Sequence, residues 1–239
     1  VNTVLYNVVI SACGRSGQWQ HALSILGELQ DTILEPSLVS FSAGISACEK
    51  GGQWQNALSL LGKLCNAALE PDTVCFNAGI SACAKKGRWK HALSLLRELW
   101  KVVLEPTIIS YSAGVSACEK GGQWTHALAL LREVWESTLE PNVVCHSAGI
   151  SACEKGGQWQ HALSLLRDGL TVRLQGNVLS YSAAISACEK GGQWEHALML
   201  LSELLGVDVD LDVVSYSAGV SACEKGGQWQ RALSKGCFV

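Results

Sequence analysis

The chain has 239 residues, with 18 Lys and Arg against 21 Asp and Glu, a net charge of −3, 48% hydrophobic residues and 16% charged ones. That apolar share is enough to fill a continuous core and excludes a disordered chain. No uncharged apolar run approaches the roughly 18 residues of a membrane span, and the charge balance lacks the overall basicity of a strong nucleic-acid binder.

Trp19, Trp54, Trp89, Trp124, Trp159, Trp194 and Trp229 follow one another at intervals of 35 residues without insertion or deletion. A strict period of this size marks a repeat array, in which no copy can bury its apolar face alone. The array divides into repeats 3–37, 38–72, 73–107, 108–142, 143–177, 178–212 and a truncated 213–239. The chain starts and stops inside the pattern, which predicts a segment of a longer array and self-association through its uncapped ends.

Each repeat reads as two helices. In the first four, Glu35-Pro36, Glu70-Pro71, Glu105-Pro106 and Glu140-Pro141 close the copy, because proline favours an extended or turn entry. The fourth copy shows the pattern most clearly. A first helix is expected from about Ile109 and Ser110, with Tyr111, Val115 and Cys118 on its inner face. Gly121-Gly122 ends that helix and reverses the chain. A second helix then carries Trp124, Ala127, Leu128, Leu131 and Val134 on one stripe and runs out before Pro141. The Trp residues read as wedges between neighbouring repeats, since each can remove about 150 to 250 Å² from water; the alternative is an exposed stacking row. Gly44, Gly79, Gly114, Gly149 and Gly219 recur inside first helices, where Gly costs about 1 kcal/mol relative to Ala, so a close backbone approach is expected there. In the fifth repeat Gly169 is expected to interrupt the second helix, and in the sixth Gly206 to end it. The junctions Gln175-Gly176 and Asp210-Leu211 lack the Glu-Pro step and should be looser.

Chemistry-bearing residues recur in rows rather than in clusters. Cys13, Cys48, Cys83, Cys118, Cys153, Cys188 and Cys223 hold one place in every copy. Equivalent atoms of stacked helices lie roughly 8 to 10 Å apart, beyond the ~7 Å reach of a disulfide, so buried free thiols are expected. His21, His91, His126, His161 and His196 also share one place and suit a solvated helix face, whereas His146 replaces an aromatic core residue. No metal motif, phosphate loop, nucleophile elbow or carboxylate pair is present, and neither a cofactor nor catalysis is expected.

A 35-residue hairpin that opens Val-Val-Ser-Tyr-Ser, carries a Gly turn and an Ala-Leu pair, and closes in Glu-Pro-Asn resembles the pentatricopeptide repeat. The resemblance runs the whole length, and repeats 38–72 and 143–177 follow it closely. It departs from the family where Gly stands for a larger apolar residue in the first helix, and where His precedes the Ala-Leu pair. It implies an all-α fold, an α-solenoid wound as a right-handed superhelix, in the mitochondrion or chloroplast. The implied function is sequence-selective binding of single-stranded RNA in RNA processing, stability or translation.

The family pattern assigns three roles in each repeat. Base reading falls to the fifth residues, Asn7, Ser42, Asn77, Ser112, Ser147, Ser182 and Ser217, together with the last residues, Ser37, Asp72, Thr107, Asn142, Asn177 and Asp212. The second residues, Val4, Val39, Val74, Ile109, Val144, Leu179 and Val214, would wedge between bases. Arg15, Lys50, Lys85, Lys120, Lys155, Lys190 and Lys225 would meet phosphates. The family rule reads these pairs as pyrimidine, G, pyrimidine, A, A, G from the 5′ side.

Each row also has a plainer reading. The last residues suit helix N-caps, and a terminal Lys suits the helix macrodipole. Glu49, Glu119, Glu154, Glu189 and Glu224 directly precede a Lys and weaken the electrostatic case. A protein-binding scaffold is therefore the alternative function.

Overall fold

The computed structural model describes residues 3–31, 34, 36–67, 69–171, 178–206 and 213–228. The junctions Gln175-Gly176 and Asp210-Leu211, with Trp229, lie outside the described residues. The rest is helical: α1 (Thr3–Arg15), α2 (Trp19–Asp31), α3 (Leu38–Lys50), α4 (Trp54–Asn66), α5 (Thr73–Lys85), α6 (Trp89–Lys101), α7 (Ile108–Lys120), α8 (Trp124–Glu136), α9 (Val143–Lys155), α10 (Trp159–Thr171), α11 (Val178–Lys190), α12 (Trp194–Gly206) and α13 (Val213–Lys225). Odd-numbered helices are the first helices of their repeats and even-numbered ones the second.

The chain forms two compact bodies, Val1–Gly121 and Gly122–Val239. Within the first body α1, α3, α5 and α7 pack on one another in succession, and α2, α4 and α6 each bridge two of them. The second body repeats this plan, with α9, α11 and α13 in succession and α8, α10 and α12 packed against them. Within each body, among the described residues, no two second helices share an extended contact, so the first helices make the continuous layer of that body. This is an all-α array of stacked helix pairs, an α-solenoid.

The expected inner face of α7 is buried, with Tyr111 at 5% exposure and Val115 and Cys118 at 0%. On α8 Ala127, Leu131 and Val134 are buried, while Leu128 is half-buried and Leu130 takes its share of the interface. The helix begins at Ile108, one residue earlier than the spacing suggested. Thr107 caps it: the Ser110 N–H donates to Thr107 Oγ1 at 3.4 Å, and the Thr107 N–H donates to Ser110 Oγ at 3.0 Å. This reciprocal pair satisfies two amides that the helix itself leaves open.

The two turn glycines answer different demands. The second, as in Gly122 and Gly157, sits at φ +68° and +67°, where a side chain strains the backbone. The first does not: Gly121 and Gly156 have φ −83° and −81°, open to any residue. Its constraint is steric and comes from the repeat before. A Cβ on Gly156 would stand 2.4 Å from Cδ1 of Trp124, and one on Gly51, Gly191 or Gly226 would meet Trp19, Trp159 or Trp194 at the same distance. The Trp is thus a wedge between repeats, and its seat is a missing side chain.

Gly44, Gly79, Gly149 and Gly219 inside first helices also make room, but for leucine side chains and not for backbone as the sequence suggested. A Cβ on Gly44 would lie 2.9 Å from Leu26 Cδ2 and 3.2 Å from Leu60 Cδ1, and one on Gly79 3.2 Å from Leu95 Cδ1. Leucines of the second helices enter the notch from both sides.

Gly169 departs from expectation in the same way. It does not interrupt α10, which continues to Thr171. A Cβ there would stand 2.5 Å from Nε2 of His146. The imidazole is 4% exposed, donates from Nε2 to the Leu165 carbonyl at 2.7 Å, and meets Trp135 edge-on with ring centres 6.3 Å apart. Burial lowers its pKa, against the Leu165 bond and the Asp168 charge, which raise it. The described cysteines are free, and burial lifts the Cys48, Cys83, Cys153 and Cys188 thiols to about 11, so they stay protonated and inert at neutral pH.

Two outcomes test this packing. Gly156→Ala should cost about 1 to 3 kcal/mol by overpacking, and a Trp124→Ala background should absorb that cost; the Gly157→Ala penalty of about 1 to 2 kcal/mol should persist in the same background. Urea midpoints of the single and double variants decide it. For His146, the unfolded imidazole takes up a proton near about 6.5, while the folded site resists protonation. Its contribution is complete above that pH and is lost as pH falls toward the folded value. His146→Phe should flatten the dependence of the urea midpoint on pH between about 7 and 5.

Candidate functional site

The second, fifth, ninth and thirteenth residues of a repeat are three, four and four apart, and therefore share one face of the first helix. In the first body this face forms two adjoining hollows. Val4, Asn7, Ser11, Arg15 and Val39 line one, and Ser11, Arg15, Val39, Ser42, Ser46 and Lys50 line the other. Wedge, reader and cation candidates of the first two repeats thus lie on one surface.

The wedge row is exposed throughout. Val4, Val39, Val74, Ile109, Val144, Leu179 and Val214 have exposures between 57% and 65%, and from α3 to α11 they stand out on helices whose inner apolar faces are buried; on α1 the neighbouring Leu5, Val8 and Val9 are exposed as well. Nothing in the packing of a repeat calls for a branched apolar side chain at that place. A single exposed Val is ordinary, but an apolar row kept in all seven first helices is an available contact surface.

The last residues of the repeats are N-caps, as their plainer reading held. Asp72 Oδ1 accepts the Cys75 N–H at 2.9 Å, Asn142 Oδ1 accepts the Cys145 N–H at 2.7 Å, and Ser37 donates its own N–H to Ser40 Oγ at 3.1 Å. Capping does not remove these groups from the surface: Ser37, Asp72, Thr107 and Asn142 remain half-exposed. Asn177 and Asp212 lie outside the described residues.

The fifth residues are less uniform than their sequence row. Asn77 reaches the last residue of its own repeat, donating from Nδ2 to Thr107 Oγ1 at 3.4 Å, and its Oδ1 accepts from Ser110 Oγ at 2.5 Å. This places a fifth and a last residue side by side, as paired reading requires. Ser112 and Ser182 are 8% and 7% exposed and donate to the carbonyls of Ile108 and Val178 in their own helices, at 2.6 and 2.7 Å. Ser147 is half-buried and Ser217 exposed, and they donate to the carbonyls of Val144 and Val214 at 3.2 and 3.0 Å. Asn7 Oδ1 is buried with no hydrogen-bond partner.

The cation row is partly engaged. Lys85 pairs with Glu49 of the preceding repeat at 2.6 Å, Lys190 with Glu154 at 2.7 Å and Lys225 with Glu189 at 2.9 Å. The Ser81 and Ser221 hydroxyls donate to the same carboxylates, Glu49 and Glu189. Burial alone would raise the Glu189 carboxyl, but the Lys225 and Ser221 hydrogen bonds and the charges of Lys225 and Lys190 hold it below the usual carboxylate value. These inter-repeat partners were missed in the sequence, where the signal was visible: Glu precedes Lys at the same place in five copies.

The histidine row serves packing more than solvation. His91 and His161 are exposed, but each ring lies against the Trp of the preceding repeat, with Trp54–His91 centres 4.9 Å apart and Trp124–His161 centres 5.5 Å apart. The half-buried His196 lies 5.4 Å from Trp159. Among the described residues no group of three or more His, Cys, Asp or Glu is placed to hold a metal ion, and no helix is long and apolar enough to cross a membrane.

Comparison with known proteins bears on this surface. The PPR repeat model matches residues 4–31 and 179–209, and the pentatricopeptide repeat domain model matches residues 59–123, together just over half of the chain. No curated protein matches the sequence. Among solved structures, the pentatricopeptide repeat protein PPR10 from maize superposes with a TM-score of 0.75 at 22% identity, covering 98% of this chain and 34% of that one. The same protein in complex with an 18-nt psaJ RNA element gives 0.69 at 21% identity, over 100% and 34%. The PPR domain of Arabidopsis thaliana protein-only RNase P 1, in complex with tRNA, gives 0.62 at 14% identity, over 71% and 90%. At these identities the likeness is one of fold, and this chain spans about a third of the maize protein. With the family models and the helix-pair architecture in agreement, the chain belongs to the pentatricopeptide repeat family.

Proposed function

We propose that the chain binds single-stranded RNA with sequence selectivity, one base per repeat, and acts by occupancy in RNA processing, stability or translation within a mitochondrion or chloroplast. The observation that carries this reading is the exposed apolar residue at the second place of every first helix, Val4 to Ile109 in one body and Val144 to Val214 in the other, together with the half-exposed polar caps Ser37, Asp72, Thr107 and Asn142. Splayed bases need what this surface offers: apolar edges to sit between, and short polar groups for their Watson–Crick edges. Family membership supports the reading, as does the RNA bound to the maize protein and the tRNA bound to the Arabidopsis domain. Base reading is assigned to the fifth and last residues, wedging to the second residues and phosphate contact to the cation row.

A gel-shift series with RNA carrying the word pyrimidine, G, pyrimidine, A, A, G against a shuffled sequence tests it. Preferential binding that weakens as salt rises is expected; equal or absent binding overturns it. Asn142→Asp should move the preference at one base from A to G. Ile109→Ser should leave the urea midpoint almost unchanged, within about 0.5 kcal/mol as for an exposed site, while weakening RNA binding. A variant that unfolds instead would show that Ile109 belongs to the core.

A further inference from the structure

The cation row is not one electrostatic surface, because the residue at the twelfth place of each repeat decides whether the next Lys is free. With Glu at that place, ion pairs close across the repeat boundary within each body at Glu49–Lys85, Glu154–Lys190 and Glu189–Lys225. Where it is small, the pair cannot form. Gly14 precedes Lys50 and Ala84 precedes Lys120, and both lysines are exposed. Among the described residues no carboxylate lies within ion-pair distance of Arg15, Lys50, Lys86 or Lys120.

The third repeat adds cations at its turn. Residues 84–90 read Ala-Lys-Lys-Gly-Arg-Trp-Lys, where residues 119–125 read Glu-Lys-Gly-Gly-Gln-Trp-Thr. Lys86, Arg88 and Lys90 are all exposed. The Lys86 stem crosses the turn before it, since a Cβ on Gly52 would meet Lys86 Cε at 3.3 Å. The Arg88 guanidinium lies 5.2 Å over the Trp54 ring, which holds the charge at the surface without neutralising it. Lys120 follows directly, its carbonyl carbon 3.1 Å from where a Gly87 Cβ would stand. Residues 1–121 hold ten Lys and Arg against nine Asp and Glu, and residues 122–239 hold eight against twelve.

We propose that the RNA phosphate backbone is held by the first body alone, along Arg15, Lys50, Lys86, Arg88 and Lys120, and that the ion pairs of the second body withdraw Lys190 and Lys225 from it. This rests on the RNA-binding reading and narrows the phosphate contacts assigned there. The basic turn of the third repeat is the added site, and its ligand is the phosphodiester backbone.

Three sets of substitutions in the full chain test the inference. The probes are a single-stranded RNA carrying the six-base word, titrated at several salt concentrations, and a heparin column, which offers polyanion without bases. Lys50→Ala/Lys86→Ala/Lys120→Ala should reduce the slope of log affinity against log salt by about 2, since each lost contact removes about 0.7 for a single strand. Lys190→Ala/Lys225→Ala should leave the slope unchanged. Glu154→Gln/Glu189→Gln frees those two lysines and should steepen it by about 1. On heparin the triple variant should elute at lower salt and the Lys190/Lys225 variant with the wild type. A Lys190/Lys225 variant that loses as much slope or retention as the triple one overturns the inference. If RNA fails to bind while heparin elution splits as expected, the RNA reading falls and the division of charge stands.

Discussion

The contact on which the array depends sets a Trp on a glycine one repeat ahead, at Trp19, Trp89, Trp124, Trp159 and Trp194, while Lys86 stands in the glycine's place after Trp54. Trp124 sits on Gly156 and Trp159 on Gly191, and in each case a single added carbon would stand inside van der Waals distance. An indole buries a large apolar surface but tolerates little displacement, because its ring is rigid and turns about only two bonds. Repeating that contact fixes how far each hairpin is displaced from the last, and so sets the spacing of the exposed rows. The period of 35 is in this sense a packing constraint before it is a functional one.

A second contact covers three of the indoles. A histidine of the following repeat lies against the indole at Trp54, Trp124 and Trp159. The family commonly has glutamate there, and a carboxylate gains nothing from the negatively charged face of an aromatic ring. An imidazole adds apolar area and ring contact. The third repeat varies the theme, because Lys86 stands at the glycine place and Arg88 stacks on Trp54 beside His91. At this turn Lys86, in the glycine's place, and the stacked Arg88 set two cations on the surface where the second and the fourth to seventh repeats have Gly and Gln.

Most of the fold was legible because periodicity and glycine placement are local signals. The helix pairs, the inner faces of α7 and α8 and the buried thiols all follow from spacing. What spacing could not show was the partner across a repeat boundary. Gly169 looked like a helix breaker because Gly is a poor helix former, yet it is the complement of His146 on the neighbouring helix. Gly44 looked like a site of backbone approach, yet leucines of two other helices fill its notch. In both cases the cause lies about 20 residues away in the chain, and one-dimensional propensity has no access to it. The candidate site divides in the same way. The wedge row was readable and is exposed, but Ser112 and Ser182 are largely covered, because a serine can satisfy its hydroxyl on the carbonyl four residues back.

The cation row shows how identical residues can differ in availability. Lys50 and Lys190 occupy the same place on the same kind of helix, and only the residue presented by the preceding repeat separates them. Partly exposed ion pairs contribute about 0 to 1 kcal/mol each to stability, so Glu154–Lys190 and Glu189–Lys225 hold the stack only lightly. For a polyanion the same pairs matter more. A phosphate must displace a carboxylate already in contact, and the freed carboxylate then repels it across a few ångströms. Small residues at the twelfth place give up one weak inter-repeat contact and leave a cation open to a ligand. On the proposed reading, Gly14 and Ala84 in the first body exchange a stacking contact for a ligand contact.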